Sequence, residues 1–117
     1  KSMSLREPQK YLYDMLSSCE FLIGFTAGKS VDDYNGDRAF RSAVERELQI
    51  IGEALIQLDR VAPELAARIP EYRNIIGFRH VLVHGYDNLH PETVWNLLQT
   101  KLAPLAETLK LLLEPYE

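Results

Sequence analysis

The apolar residues of this chain recur every three or four positions over long stretches, which is the spacing of one face of an α-helix. Two stripes show this pattern most clearly: Leu12, Met15, Leu16, Cys19, Leu22 and Ile23, followed by Phe40, Val44, Leu48, Ile51, Leu55 and Leu58. A sustained alternation of apolar and polar residues, which would mark a strand, is missing from the sequence. The pattern therefore predicts an all-α fold.

Turn-forming residues divide the chain into helices. We expect long helices over residues 7–26 and 37–58, a shorter third helix over residues 71–83, and a last helix that begins at Pro91. Pro104 lies inside this last helix and should kink it. Ser30 and Asp33 have the spacing of a capping box before a short turn, and Pro63 opens another. Short connections between long amphipathic helices predict an antiparallel bundle of four to five helices.

Length and composition narrow the class of protein further. The chain has 117 residues, which fits one domain spanning residues 1–117. Lys1 and Ser2 precede Met3, and we expect Met3 to be the native start. Cys19 is the single cysteine, which excludes an intramolecular disulfide and favours the reducing cytoplasm. We expect no membrane span and no signal peptide, because the sequence has neither pattern.

The charge balance bears on nucleic-acid binding. The net charge is −4, which argues against a broad basic surface for nucleic acid but allows a local cationic cleft. The three histidines and one cysteine have no metal-ligand spacing. We therefore predict no metal and no cofactor.

Residues of catalytic type concentrate in the segment GFRHVLVHGY, residues 77–86, which contains Arg79, His84 and Tyr86. Helical residues five positions apart are rotated by about 140° around the axis. Arg79 and His84 can therefore face one cleft only if the helix ends near His84, as Gly85 suggests. In that last turn the helix dipole also favours a histidine cation.

An arginine and a histidine together suit the cleavage of RNA without a metal. Arginine presents a fork of donors that matches a phosphate, and histidine exchanges protons near neutral pH. The imidazole would deprotonate a ribose 2′-hydroxyl, which would attack the adjacent phosphorus to give a 2′,3′-cyclic phosphate and a 5′-hydroxyl. The structural alternative is a surface arginine and a histidine that caps the helix.

Three segments in this order resemble the HepT-like toxins of the HEPN domain superfamily. Arg79–x4–His84–x–Tyr86 is similar to the Arg-x4-His-x-Tyr motif of that family, and His80 fills the polar position of the wider superfamily pattern. Residues 43–54, AVERELQIIGEA, resemble the long-helix signature, and residues 91–95, PETVW, resemble the opening of the final helix. Gly85 departs from the pattern, in which a larger or charged residue often follows the histidine.

The resemblance implies a function beyond what the residues alone establish. It implies a HEPN-type bundle that homodimerises around a shared cleft, with Arg79 and His84 as catalytic residues and His80 binding the RNA phosphate. It further implies a toxin that cleaves RNA, with tRNA as a target class, in a type VII-like toxin–antitoxin system. The implied partner is a minimal nucleotidyltransferase antitoxin, which would silence the toxin by transferring AMP from ATP to Tyr86.

Two other functions stay open at this stage. The chain could be a non-catalytic nucleotide-binding or accessory subunit of a minimal nucleotidyltransferase, or it could itself be the silencing partner.

Two predictions concern the second long helix. We expect the charged run Glu45, Arg46 and Glu47 to form a solvated face, and we expect Glu53 to form an ion pair with an arginine near the cleft.

Overall fold

Seven α-helices follow one another in the part of the chain that the computed structural model describes, which is residues 2–85 and 89–117, with side chains from residue 7 onward. They are α1 (Ser2–Phe25), α2 (Val31–Gly36), α3 (Arg38–Val61), α4 (Pro63–Ala66), α5 (Tyr72–His84), α6 (Pro91–Thr100) and α7 (Leu102–Leu113), and a 3₁₀ turn, Glu114–Tyr116, ends the chain. The predicted all-α bundle is confirmed. No helix in the described ranges is both long enough and apolar enough to cross a membrane.

The helices pack around the apolar stripes that the sequence predicts. α1 packs against α3 and α7, while α2 contacts α3 and α6. The six predicted apolar positions of α3 are all buried. The stripe of α1 is confirmed with one exception, since Ile23 is 41% exposed while Leu12, Met15, Cys19 and Leu22 are buried.

Local capping interactions fix where the second and third helices begin. The Asp33 N–H donates to Ser30 Oγ at 3.2 Å and the Ser30 N–H donates to Asp33 Oδ2 at 2.8 Å, which confirms the capping box of α2. The Phe40 N–H donates to Asp37 Oδ1 at 3.1 Å, so Asp37 caps α3. Such caps satisfy N–H groups that a helix start otherwise leaves without partners.

The helix boundaries differ from the prediction most at the start of α1 and in the last helix, while α3 ends at Val61, three residues later than predicted. α1 begins at Ser2, earlier than predicted, so Pro8 lies inside the helix. The last predicted helix is divided at Lys101 into α6 and α7, and Pro104 lies in the first turn of α7. Proline has no N–H to donate to the carbonyl four residues earlier, so Pro104 has the disruptive effect that the sequence predicts.

Glu45 corrects the prediction of a fully solvated charged run. Its side chain is only 7% exposed, and it accepts a hydrogen bond from the Tyr34 hydroxyl at 2.5 Å. Arg46, the next residue, is exposed as predicted. Glu45 thus connects α2 to α3 inside the molecule.

Candidate functional site

α5 carries the predicted catalytic residues, and its start is fixed by a contact with another helix. Glu71 precedes the helix in a left-handed conformation, with φ 59°. Lys101 Nζ donates to its carboxylate at 3.2 Å, and Asn74 Nδ2 donates to it at 3.5 Å. The hydrogen bond from Lys101 lowers the pKa of Glu71. The start of α5 is therefore tied to the junction of α6 and α7.

The end of α5 falls where the sequence predicts it. His84 is the last helical residue, and the Gly85 N–H donates to the Val81 carbonyl at 2.8 Å. Gly85 has a negative φ of −109°, and a Cβ built there would lie no closer than 3.5 Å to Val81. The backbone therefore does not require a glycine at position 85, where the family pattern often has a larger or charged residue.

α5 carries basic side chains and no acidic ones, in a protein that is acidic overall. It contains Arg73, Arg79, His80 and His84 and no aspartate or glutamate, although the chain as a whole has a net charge of −4. His84 lies in the last turn, where the carbonyl end of the helix attracts a cation. α5 thus offers basic side chains to a phosphate with no carboxylate on the same helix.

Arg79 lies directly against α3 at Gly52. A Cβ built on Gly52 would lie 2.3 Å from Arg79 Cβ and 2.6 Å from its Cγ, which is far inside van der Waals contact. Only a residue without a Cβ allows the two helices to approach this closely. Gly52 is not among the site residues predicted from the sequence, although a glycine in a helix interior often indicates close packing.

The Arg79 guanidinium belongs to a small ion-pair network. Its Nη2 lies 3.6 Å from Glu53 Oε2, and Arg46 Nη1 lies 3.6 Å from the same oxygen. The prediction that Glu53 pairs with an arginine is confirmed, and the network supplies a second arginine. Arg79 Nε is buried and has no hydrogen-bond partner among the described residues.

The two histidines of α5 contact each other. His80 and His84 are four residues apart and share one face of the helix, and their ring centroids are 4.7 Å apart with planes inclined by 53°. Both side chains are exposed. The hydrogen bonds, ion pairs and ring contacts of the described residues do not join Arg79 to His84, and the ring contact joins His84 to His80 alone.

Tyr86, metal-binding side chains and Cys19 are the other groups that could supply chemistry. Tyr86 lies outside the described residues. Within the described ranges, no group of three or more histidine, cysteine, aspartate or glutamate residues is arranged to hold a metal ion. Cys19 is buried, as predicted for a small apolar residue, and burial raises the pKa of its thiol to about 12. A thiol with such a pKa is protonated at neutral pH and is a poor nucleophile.

An apolar cavity of about 260 Å³ lies between α3, α5 and the junction of α6 and α7. Ile51, Ile75 and Phe78 contribute to its wall, while Glu71 and Lys101 also line it. Arg79, His80 and His84 are not among the lining residues. Asn74 is the polar residue of α5 that lines the cavity, so the predicted site residues Arg79, His80 and His84 are separate from it.

The fold and the site define a class of protein. It is an all-α bundle in which one helix, rich in arginine and histidine, ends at an exposed histidine and suits an anionic ligand. The sequence matches the family profile described as "Ribonuclease HepT-like" over residues 15–112. The chain belongs to this family of HepT-like ribonucleases.

Curated relatives carry ribonuclease names. The chain is 31% identical over 110 residues to "Putative RNase TTE0752" of Caldanaerobacter subterraneus subsp. tengcongensis, covering 94% of this chain and 97% of that protein. It is 28% identical over 100 residues to "Probable ribonuclease HepT" of Thermococcus cleftensis, covering 86% of this chain and 90% of that protein. No solved structure matches the chain.

Proposed function

We propose that this chain is the toxin of a type VII-like toxin–antitoxin system and acts as a metal-independent RNA endonuclease with Arg79 and His84 as catalytic residues. The observation that carries the proposal is the basic helix α5, in a member of a ribonuclease family, with Arg79 held against α3 and His84 exposed at the helix end. Arg79 and His84 also have the order and spacing of the Arg-x4-His-x-Tyr motif of the HepT-like toxins.

His84 and Arg79 have separate tasks in the proposed reaction. The neutral imidazole of His84 accepts the proton of a ribose 2′-hydroxyl, and that oxygen attacks the adjacent phosphorus. The bond from phosphorus to the 5′-oxygen breaks, and the departing oxygen takes up a proton to become a 5′-hydroxyl. The Arg79 guanidinium stabilises the negative charge that builds up on the phosphoryl oxygens. The other product is a 2′,3′-cyclic phosphate.

His80 is proposed to bind the RNA phosphate beside Arg79. Its ring is exposed and lies against the ring of His84, so a phosphate that contacts one ring lies close to the other. The proposed location is the cytoplasm, because RNA is the proposed substrate. tRNA is the proposed target class, on the strength of the family resemblance.

A homodimer with a shared cleft is part of the proposal. Each chain offers one catalytic arginine and one catalytic histidine in this proposal. Two copies of α5 would double the local positive charge around a phosphate. Sedimentation at micromolar concentration should give the mass of two chains, and a monomer under those conditions would contradict the shared cleft.

Silencing by AMP transfer to Tyr86 is the proposed regulation. Tyr86 follows the end of α5 by two residues, and an adenylyl group there would add negative charge close to His84 and compete with the RNA phosphate. Incubation with ATP and the minimal nucleotidyltransferase should add the mass of AMP to wild type but not to Tyr86→Phe. An equal mass gain in both would contradict this assignment.

The experiment that tests the nuclease compares Arg79→Ala and His84→Ala with wild type on total tRNA. We expect each variant to cleave about 10²–10⁴-fold more slowly, which is typical for loss of a proton-transfer or charge-stabilising group. Arg60→Ala and His90→Ala remove an exposed arginine and an exposed histidine elsewhere and should cleave like wild type.

The other outcomes separate the alternatives. Wild type that binds the nucleotidyltransferase but cleaves no RNA, with no AMP on Tyr86, would support the accessory-subunit function. Unfolding of His84→Ala would indicate a structural role for this histidine.

A further inference from the structure

Two consecutive residues of α3 border the side chain of Arg79. Gly52 leaves room for its Cβ and Cγ, and the Glu53 carboxylate lies 3.6 Å from its Nη2. The first contact limits where the root of the side chain lies, and the second acts on its charged end. A side chain held at both ends loses less freedom when it binds a ligand.

The buried Nε limits which donors of Arg79 remain for a ligand. This atom is buried and has no hydrogen-bond partner among the described residues, while the side chain as a whole is 26% exposed. A buried donor without a partner is unfavourable, so another interaction must hold the guanidinium in this orientation. The remaining N–H donors, on Nη1 and Nη2, are the ones that a phosphate can reach.

Glu53 is placed to hold that orientation without occupying these donors. At 3.6 Å its oxygen acts on Nη2 mainly through charge, since a strong charge-assisted hydrogen bond is about 2.7–2.9 Å long. The same oxygen lies 3.6 Å from Arg46 Nη1, so one carboxylate serves two guanidinium groups. The three side chains together keep a net positive charge, which an RNA phosphate can still neutralise.

We infer that Glu53 is a positioning residue for the nuclease reaction: it holds the Arg79 guanidinium, seated on Gly52, in the orientation that stabilises the reacting phosphate. This inference rests on the proposed ribonuclease function. The competing view is an ordinary surface ion pair, since Glu53 is 39% exposed and such pairs contribute little. The two views predict different kinetics.

The test is steady-state RNA cleavage by Glu53→Gln. Glu20→Gln is the matched control, because Glu20 forms a surface ion pair with Lys110 at 3.9 Å. We expect kcat of Glu53→Gln to fall about 10–100-fold, the range for a misplaced catalytic group. KM should stay the same or fall, since a negative charge near the phosphate is removed. Melting temperatures of both variants should match wild type.

Two kinetic outcomes would overturn the inference. An unchanged kcat in Glu53→Gln would leave only a surface ion pair. A loss of activity that follows a lower melting temperature, with kcat per folded molecule unchanged, would give Glu53 a structural role.

A second measurement does not depend on RNA cleavage. The Nε–H resonance of Arg79, assigned by its loss in Arg79→Lys, should exchange slowly with water in wild type and Glu20→Gln and faster in Glu53→Gln. Equal exchange in all three would overturn the positioning role. Wild type that cleaves no RNA but shows the faster exchange in Glu53→Gln would refute the nuclease proposal and leave the positioning of Arg79 intact.

Discussion

At the scale of single residues, Tyr34 and Glu45 form a polar contact inside a largely apolar interior. Tyr34 is 1% exposed and Glu45 is 7% exposed, and the hydroxyl donates to the carboxyl group at 2.5 Å. A carboxyl group in such a place needs donors, because water no longer supplies them. The contact fixes α2, a helix of six residues, onto α3.

Tyr34→Phe removes this donor with little change of shape. We expect the free energy of unfolding to fall by about 1–3 kcal/mol, since the Glu45 carboxyl group stays buried after losing a hydrogen bond. Urea denaturation monitored by circular dichroism measures the loss. Tyr13→Phe is the control, because Tyr13 is 63% exposed, and an equal effect of both substitutions would contradict the explanation.

The same residues show what sequence reasoning can and cannot predict. Glu45 was expected to be solvated because Arg46 and Glu47 follow it, and neighbours in sequence carry no information about a partner eleven positions away on another helix. Arg79 and His84 could be singled out from residue type and order alone. The ion pair of Glu53 was predictable in kind, but the sharing of one oxygen by two arginines depends on how α3 and α5 pack.

At the scale of elements, the close approach of α5 to α3 decides where Arg79 lies. Gly52 faces Arg79 with no room for a Cβ, and Glu53 and Arg46 lie on the same helix as Gly52. A shift of α5 away from α3 would therefore separate Arg79 from Gly52, against which it packs, and from the Glu53 carboxylate.

Gly52→Ala would force that shift. Alanine favours the helix by about 1 kcal/mol, but overpacking costs typically about 1–3 kcal/mol. Because the colliding atoms are close to the Arg79 backbone, the clash should prevail. We expect a net loss of stability of up to about 2 kcal/mol together with reduced RNA cleavage.

Gly77→Ala is the matched control for this substitution. Gly77 lies inside α5, and a Cβ there meets nothing within 4 Å. It should stabilise the protein by about 0.5–1 kcal/mol and leave cleavage unchanged. Thermal denaturation of both variants measures the difference, and a stabilised Gly52→Ala variant with full activity would contradict the close-approach explanation.

The helices themselves were predictable because their signals are local. Apolar spacing, the Ser30 capping box and Pro104 each act within a few residues, so the long helices and a disruption near Pro104 follow from the sequence, although the division into two helices at Lys101 does not. The separation between two helices is different, since it depends on every residue in the contact. A glycine inside α3 hinted at close packing but could not name Arg79 as its neighbour.

At the scale of the whole molecule, charge is distributed unevenly. Aspartate and glutamate number 17 against 13 lysines and arginines, whereas α5 contains no carboxylate. A phosphate-rich ligand is repelled by the net charge of the protein, and α5 is a helix without carboxylates that can still attract it. The net charge, read from the sequence, argues against a broad basic surface but allows a local cationic cleft.

The central claim is that α5 carries a metal-independent ribonuclease site. The most direct test is to incubate the purified, unmodified wild-type protein with total tRNA in EDTA and to determine the chemistry of the new ends. We expect fragments with a 2′,3′-cyclic phosphate on one side and a 5′-hydroxyl on the other. Fragments with 5′-phosphate ends, or cleavage that occurs only when a divalent metal is restored, would contradict it.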